Sequence, residues 1–128
     1  MPSAKILVVD DHHDTVRVLA KLLSAAGYSL STAETIAEAK SLCQAQKFDL
    51  VIADISLPDG SGIELLSQGA DASPAKGILV SGHEEELYET YLEKRAWSDF
   101  LLKPLVFETL LETIRRVLGT ASRERILI

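Results

Sequence analysis

Five residues in this sequence are of types that, brought together, could capture a phosphoryl group: the adjacent carboxylates Asp10 and Asp11, the isolated Asp54, the hydroxyl of Ser81 and the ammonium of Lys103. Three carboxylates at one place repel each other and are driven toward protonation unless a cation sits among them. Hard oxygen ligands suit Mg²⁺, with Mn²⁺ able to substitute, because Mg²⁺ takes few carboxylates and completes its shell with water and phosphate oxygens. With the cation bound, Asp54 could attack a phosphoryl donor in line and form an acyl phosphate. The cation and Lys103 would then offset charge on the transferring group, and the Ser81 hydroxyl could hydrogen-bond one of its oxygens.

Each of these residues follows a short apolar run: Ile6-Leu7-Val8-Val9, Leu50-Val51-Ile52-Ala53, Gly77-Ile78-Leu79-Val80 and Phe100-Leu101-Leu102. Such runs, without polar alternation, are the pattern of strands buried on both faces. Tyr28 to Ala33 is a weaker strand. Between the runs lie helical patterns. His13 to Ala26 spaces Val16, Leu19, Leu22 and Leu23 on one face and stops at Gly27; Thr35 with Glu38 forms a capping box for a helix reaching about Gln46. Leu57-Pro58-Asp59-Gly60 reads as a loop, and Ser61 with Glu64 as a second capping box for a short helix closed by Gly69. Ala70 to Ala75 is connector, Glu84 to Lys94 a polar fourth helix, and Leu105 to Leu118 a fifth, with Phe107, Leu110, Leu111, Ile114, Val117 and Leu118 as its buried stripe. Strands alternating with helices imply right-handed crossovers and a parallel sheet covered on both faces. The fold class expected is α/β, a flavodoxin-like doubly wound (βα)5 with a five-stranded parallel sheet in the order 2-1-3-4-5. Ligands of such sheets bind beyond the carboxyl ends of the strands where strand order reverses, which is where the five residues converge.

Composition narrows the remaining classes. A chain of 128 residues fits one domain, expected over 1–119, with 120–128 as a tail or the start of a linker. Its net charge of −6 and lack of a Lys/Arg stripe disfavour direct nucleic-acid binding. Arg115, Arg116, Arg123 and Arg125 suit a helix C-terminus instead. No apolar run approaches the roughly 20 residues of a membrane span, and Met1 to Lys5 has no secretory pattern, so a cytoplasmic location is expected. Cys43, the one cysteine, reads as a buried structural thiol.

The chain resembles a response-regulator receiver domain of bacterial two-component signalling. The resemblance covers nearly the whole chain and rests on Ile6-Leu7-Val8-Val9-Asp10-Asp11, on Asp49 to Gly62 around Asp54, and on Asp99-Phe100-Leu101-Leu102-Lys103-Pro104. It implies that Asp54 is the phosphoacceptor, that Asp11 is a direct Mg²⁺ ligand with Asp10 acting largely through water, and that the main-chain carbonyl of Ser56 completes the protein's share of the metal shell. It further implies that Ser81 is a switch hydroxyl, that Phe100 turns inward with it, that Lys103 contacts the phosphoryl group, and that Lys103-Pro104 is a cis peptide. Ser56 and His83 stand at positions that tune water access to the acyl phosphate. The implied partner is a histidine kinase or histidine phosphotransfer protein, and the implied output is a changed surface of fourth helix, fifth strand and fifth helix, through which a homodimer could form. A stand-alone receiver and a piece of a longer regulator or hybrid kinase fit equally.

Several residues admit plainer roles. Ser81-Gly82-His83-Glu84 also fits a capping box, and Phe100 lacks the hydroxyl a tyrosine there would carry. His12 and His13 read as solvated helix-start residues rather than transition-metal ligands. Arg95-Ala96-Trp97 replaces the family's Ala-Gly-Ala, and Trp97 suits either local packing or an interface anchor, as do Tyr88 and Tyr91. A phosphohydrolase with an aspartate nucleophile would need a second acid two residues on, where this chain has Ser56. The expectation is therefore a signalling module that catalyses only its own phosphorylation and dephosphorylation, and neither an enzyme with outside substrates nor a phosphorylation-independent binding domain.

Overall fold

The computed structural model describes residues 3–67, 76–83 and 98–119. Lys5–Val9 (β1), Ser29–Ala33 (β2), Leu50–Asp54 (β3), Gly77–Ser81 (β6) and Asp99–Leu102 (β7) form one parallel sheet in the order β2-β1-β3-β6-β7. The remaining strands, Ser56–Leu57 (β4) and Gly60–Ser61 (β5), make a separate antiparallel ribbon. With the ribbon set aside, the sheet has the expected 2-1-3-4-5 order. The segment read as a plain loop is the turn of that ribbon.

Alternation along the buried strands sends successive side chains to opposite faces. Ile6, Val8, Leu50, Ile52, Ile78 and Val80 pack with Leu19 and Leu23 of α1 (His13–Ala25) and with Leu110, Ile114 and Val117 of the C-terminal helix (Phe107–Leu118). Leu7, Val9, Val51, Ala53 and Leu79 pack with Ile36 and Ala39 of α2 (Ile36–Ala45) and with Leu65 of α3 (Glu64–Ser67). The C-terminal helix starts two residues later than its apolar pattern suggests, because Val106 is extended and serves as the N-cap. Cys43 is partly buried against the second cluster, and burial raises its thiol pKa.

Two caps differ from their expected form. Thr35 Oγ1 accepts from Glu38 N–H at 3.1 Å as anticipated, but Glu38 Oε1 returns the bond to Glu34 N–H at 2.7 Å, one residue earlier than a capping box requires. Ser61 Oγ accepts from Ile63 N–H at 3.2 Å rather than from Glu64, so it forms a local turn. The connector at 70–75, Gly69, the predicted helix Glu84 to Lys94 with Tyr88 and Tyr91, the Arg95-Ala96-Trp97 departure, and residues 120–128 lie outside the described residues. Among those described, no helix is long and apolar enough to cross a membrane.

Candidate functional site

Register alone brings the chemistry-bearing residues to one edge. Val9 pairs with Ala53, so Asp10 and Asp54 leave their strands side by side. Asp54 pairs with Val80 and Ser81 with Leu102, which sets Ser81 and Lys103 one step further along the neighbouring strands. Lys103 N–H donates to the Ser81 carbonyl at 2.7 Å, and the Lys103–Pro104 peptide is cis.

Asp10 and Asp54 are nearly enclosed, at 5% and 6% exposure, while Asp11 stands open to solvent. Lys103 Nζ donates to Asp54 Oδ2 at 2.7 Å and to Asp10 Oδ2 at 3.2 Å, bridging the two buried carboxylates. The other Asp54 oxygen, Oδ1, accepts from Ser56 N–H at 3.1 Å. Asp10 Oδ1 accepts from the main-chain N–H of His12 at 2.9 Å and from its ring Nδ1 at 2.8 Å. Burial pushes the Asp10 carboxyl up, but the hydrogen bonds from His12 and the charge of Lys103 outweigh it and hold the group below its ordinary value. Burial likewise works against the Lys103 ammonium, yet its bond to Asp54 and the charges of Asp10 and Asp54 raise it. The hydrogen bond and charge of Asp10 raise the His12 imidazole.

Oxygens of Asp10, Asp11 and Asp54 and a ring nitrogen of His12 all lie within 4.8 Å of one another. Asp11 Oδ1 is 3.4 Å from His12 Nδ1. A donor set dominated by carboxylate oxygens, with the two buried carboxylates sharing one lysine, fits a small hard divalent cation. His12 and His13 are exposed at the start of α1, as read from the sequence, but both are engaged: His12 with Asp10, and His13 with Glu34 at 3.0 Å.

Ser81 is fully buried. Its Oγ accepts from His83 N–H at 2.9 Å and also lies 3.1 Å from the His83 carbonyl, as a residue beginning a turn does. His83 is exposed just beyond. Phe100, opposite Leu79 in the sheet, is partly buried and packed against the apolar cluster beneath α2. Ser56 is exposed between the buried Ile55 and Leu57.

One tie between the ribbon and α2 is not legible in the sequence. Asp59, at the tip of the β4–β5 ribbon, accepts from Ile36 N–H at 2.8 Å and Ala37 N–H at 3.1 Å, the first amides of α2. Those bonds, led by the one from Ile36, hold its carboxyl below the usual range. The Pro58-Asp59-Gly60 string signals a turn, but which helix end lies within its reach is decided by tertiary structure.

Residues 6–115 match the family described as response regulator receiver domain. The chain is 31% identical over 119 residues to Protein PilH of Pseudomonas aeruginosa, a match spanning 91% of this chain and 98% of that protein. Of longer regulators it also matches, it spans 26% of ZraR of Escherichia coli and 18% of ARR12 of Arabidopsis thaliana. Among solved structures, the response regulator TrrA of Thermotoga maritima in complex with Mg²⁺-BeF is 31% identical, with a TM-score of 0.77 over 88% of this chain and 97% of that one. A response regulator from Burkholderia pseudomallei, solved with a phosphorylated aspartic acid, a calcium ion and citrate, is 25% identical, with a TM-score of 0.77 over 98% of this chain and 74% of that one. The strand order, the acidic edge and these matches lead to one conclusion: the chain belongs to the response regulator receiver domain family of two-component signalling.

Proposed function

We propose that this chain is a phosphorylatable switch in which Asp54 accepts a phosphoryl group from a histidine kinase or histidine phosphotransfer protein. The observation that carries the reading is the bridging of Asp54 and Asp10 by Lys103 at the edge where Asp11 also opens to solvent. A carboxylate oxygen of Asp54 forms the new bond to phosphorus as the bond from phosphorus to the donor's imidazole nitrogen breaks, leaving an acyl phosphate on the protein and a neutral imidazole on the donor. Asp10, Asp11, Asp54 and the Ser56 main-chain carbonyl would hold Mg²⁺, which when bound neutralises charge on the phosphoryl oxygens. Lys103 then holds the phosphorylated side chain, and Ser81, freed from its turn with His83, hydrogen-bonds a phosphoryl oxygen while Phe100 turns further inward.

Ser56 and His83 flank the site and set how readily water reaches the acyl phosphate. A groove of about 720 Å³ beside Lys103, lined by His12, Thr15, Val18, Leu22 and Phe107 among others, with Val18 55% exposed, supports docking of the donor on that side. Output runs through the changed surface of fourth helix, fifth strand and fifth helix expected from the sequence, and Trp97, Tyr88 and Tyr91 are the residue types proposed to serve a partner or a second copy of the chain. The chain acts in the cytoplasm, 1–119 forms the receiver and 120–128 the tail or linker, and no outside substrate is turned over.

Intact-mass measurement after incubation with Mg²⁺ and acetyl phosphate or phosphoramidate tests the reading. One added phosphoryl group is expected, absent from Asp54→Asn. An unchanged mass for the unaltered protein would sink it, and rapid hydrolysis of unrelated phosphate esters would replace it with a phosphohydrolase.

A further inference from the structure

We propose that Asp59 is a positioning residue for the cation site, holding the turn that presents the Ser56 carbonyl by tying it to the first turn of α2. The inference rests on the function proposed above, in that it takes that carbonyl as a cation ligand.

Ser56 has one side-chain tie, its N–H to Asp54 Oδ1 at 3.1 Å, and its carbonyl leads into the turn. Ile55 is fixed by its N–H to the Val80 carbonyl at 2.9 Å, and Ile55 and Leu57 are buried, but Ser56 faces outward between them. The ribbon that carries it pairs only Ser56 with Ser61 and Leu57 with Gly60. So short a ladder cannot hold its own geometry in water. Among the described residues, the hydrogen bonds from the Pro58-Asp59-Gly60 tip to anything outside the ribbon are the two that Asp59 accepts from Ile36 and Ala37. Gly60, at φ +143°, closes against the same residue: a Cβ there would come within 3.0 Å of Ile36 Cδ1. The tip is thus docked on Ile36 by main chain and side chain together.

These bonds serve the turn and the helix end alike, and the two roles can be told apart. The end of α2 already has Thr35 as its cap and Glu38 bonded to Glu34. Of the two amides that Asp59 binds, that of Ala37 is exposed and open to water, whereas Ile36 is buried and its N–H relies on Asp59. Without Asp59 the tip loses both of its hydrogen bonds to α2.

Calorimetric titration with Mg²⁺ alone, on the full chain, separates the two roles. Asp59→Ala should raise the Mg²⁺ Kd about tenfold, the lower end of what removing an outer-shell partner costs. Asp59→Asn, which keeps one acceptor oxygen, should fall between Asp59→Ala and the unaltered protein. Thr35→Ala, which weakens the same helix end without touching the turn, should lower the melting temperature and leave the Kd unchanged. Equal Kd values for Asp59→Ala and the unaltered protein overturn the inference alone, as does a Thr35→Ala protein weakened as much as Asp59→Ala. Absence of Mg²⁺ binding by the unaltered protein overturns both the inference and the cation reading beneath it.

Discussion

Lys103 reaches Asp54 across two strand positions: its Nζ sits 2.7 Å from Asp54 Oδ2, and the same ammonium lies 3.2 Å from Asp10 Oδ2. Both carboxylates are 7% exposed at the side chain and Lys103 is 23% exposed, so the cluster is largely withdrawn from water. Removing the ammonium leaves two neighbouring buried carboxylates without their main counter-charge. Lys103→Met should therefore lower stability by about 1–3 kcal/mol in the absence of divalent ions, less than a fully buried pair would lose because water still reaches the lysine. Mg²⁺ should restore more of the melting temperature in Lys103→Met than it adds to the unaltered protein. Equal gains in thermal melts with and without Mg²⁺ would show that the lysine and the cation do not share these charges.

Gly62 lies against the main chain of the proposed acceptor. A Cβ at this position would fall far inside contact distance of the Asp54 carbonyl oxygen, and the Gly62 N–H donates to the Ile55 carbonyl at 2.8 Å. Neither partner can move cheaply, since Ile55 is held by Val80 and Asp54 ends a buried strand. Gly62→Ala should cost about 3 kcal/mol, the upper range for overpacking a rigid site. It should also slow phosphorylation by acetyl phosphate, because the clash is relieved by shifting Asp54. Chemical denaturation and intact-mass time courses check the two effects, and a variant with unchanged denaturation would mean that the turn adapts.

The sheet was legible in the sequence because buried parallel strands are written as unbroken apolar runs, and each candidate site residue stands at the end of one. Asp54, Ser81 and Lys103 could be placed at one edge before any coordinates. What could not be read is how neighbouring elements satisfy each other's exposed polar groups. Glu38 bonds Glu34 rather than Thr35, Ser61 bonds Ile63 rather than closing a box with Glu64, and Asp59 reaches a helix 23 residues away in sequence. A capping signal states that a donor will find an acceptor; which acceptor is nearest is set by packing. The same limit explains His12, whose exposure was foreseen and whose bond to Asp10 was not.

Ile114 tests the layer opposite α2. It is fully buried between the C-terminal helix and the sheet, with Leu110 and Val117 of the same helix. Ile114→Ala removes apolar contact from both strands and helix and should cost about 2–5 kcal/mol in urea denaturation. Phosphorylation should survive wherever the variant remains folded, because the site lies at the strand ends while Ile114 packs in the apolar layer between helix and sheet. Loss of phosphorylation in a variant shown to be folded would mean that the helix governs the site directly.

The pair of Asp10 and His12 makes the ion-free protein sensitive to pH on two sides. The folded-state pKa of Asp10 is depressed, so its contribution is present above the unfolded value of about 3.9 and is lost as pH falls through the lower folded value. For His12 the folded-state pKa is raised by Asp10, so its contribution is complete below the unfolded value of about 6.5 and is lost as pH rises through the higher folded value. The second effect is small, since the His12 side chain is 64% exposed. Stability without divalent ions should consequently decline gently as pH rises past about 6.5, and His12→Ala should flatten that decline. Mg²⁺ placed among Asp10, Asp11 and Asp54 repels the imidazolium and should lower the His12 pKa. An NMR titration of the His12 ring, with and without Mg²⁺, reads both statements at one atom. A ring that titrates at or below about 6.5 in ion-free protein would show that Asp10 does not hold it, and an unmoved pKa on adding Mg²⁺ would place the cation away from this pair.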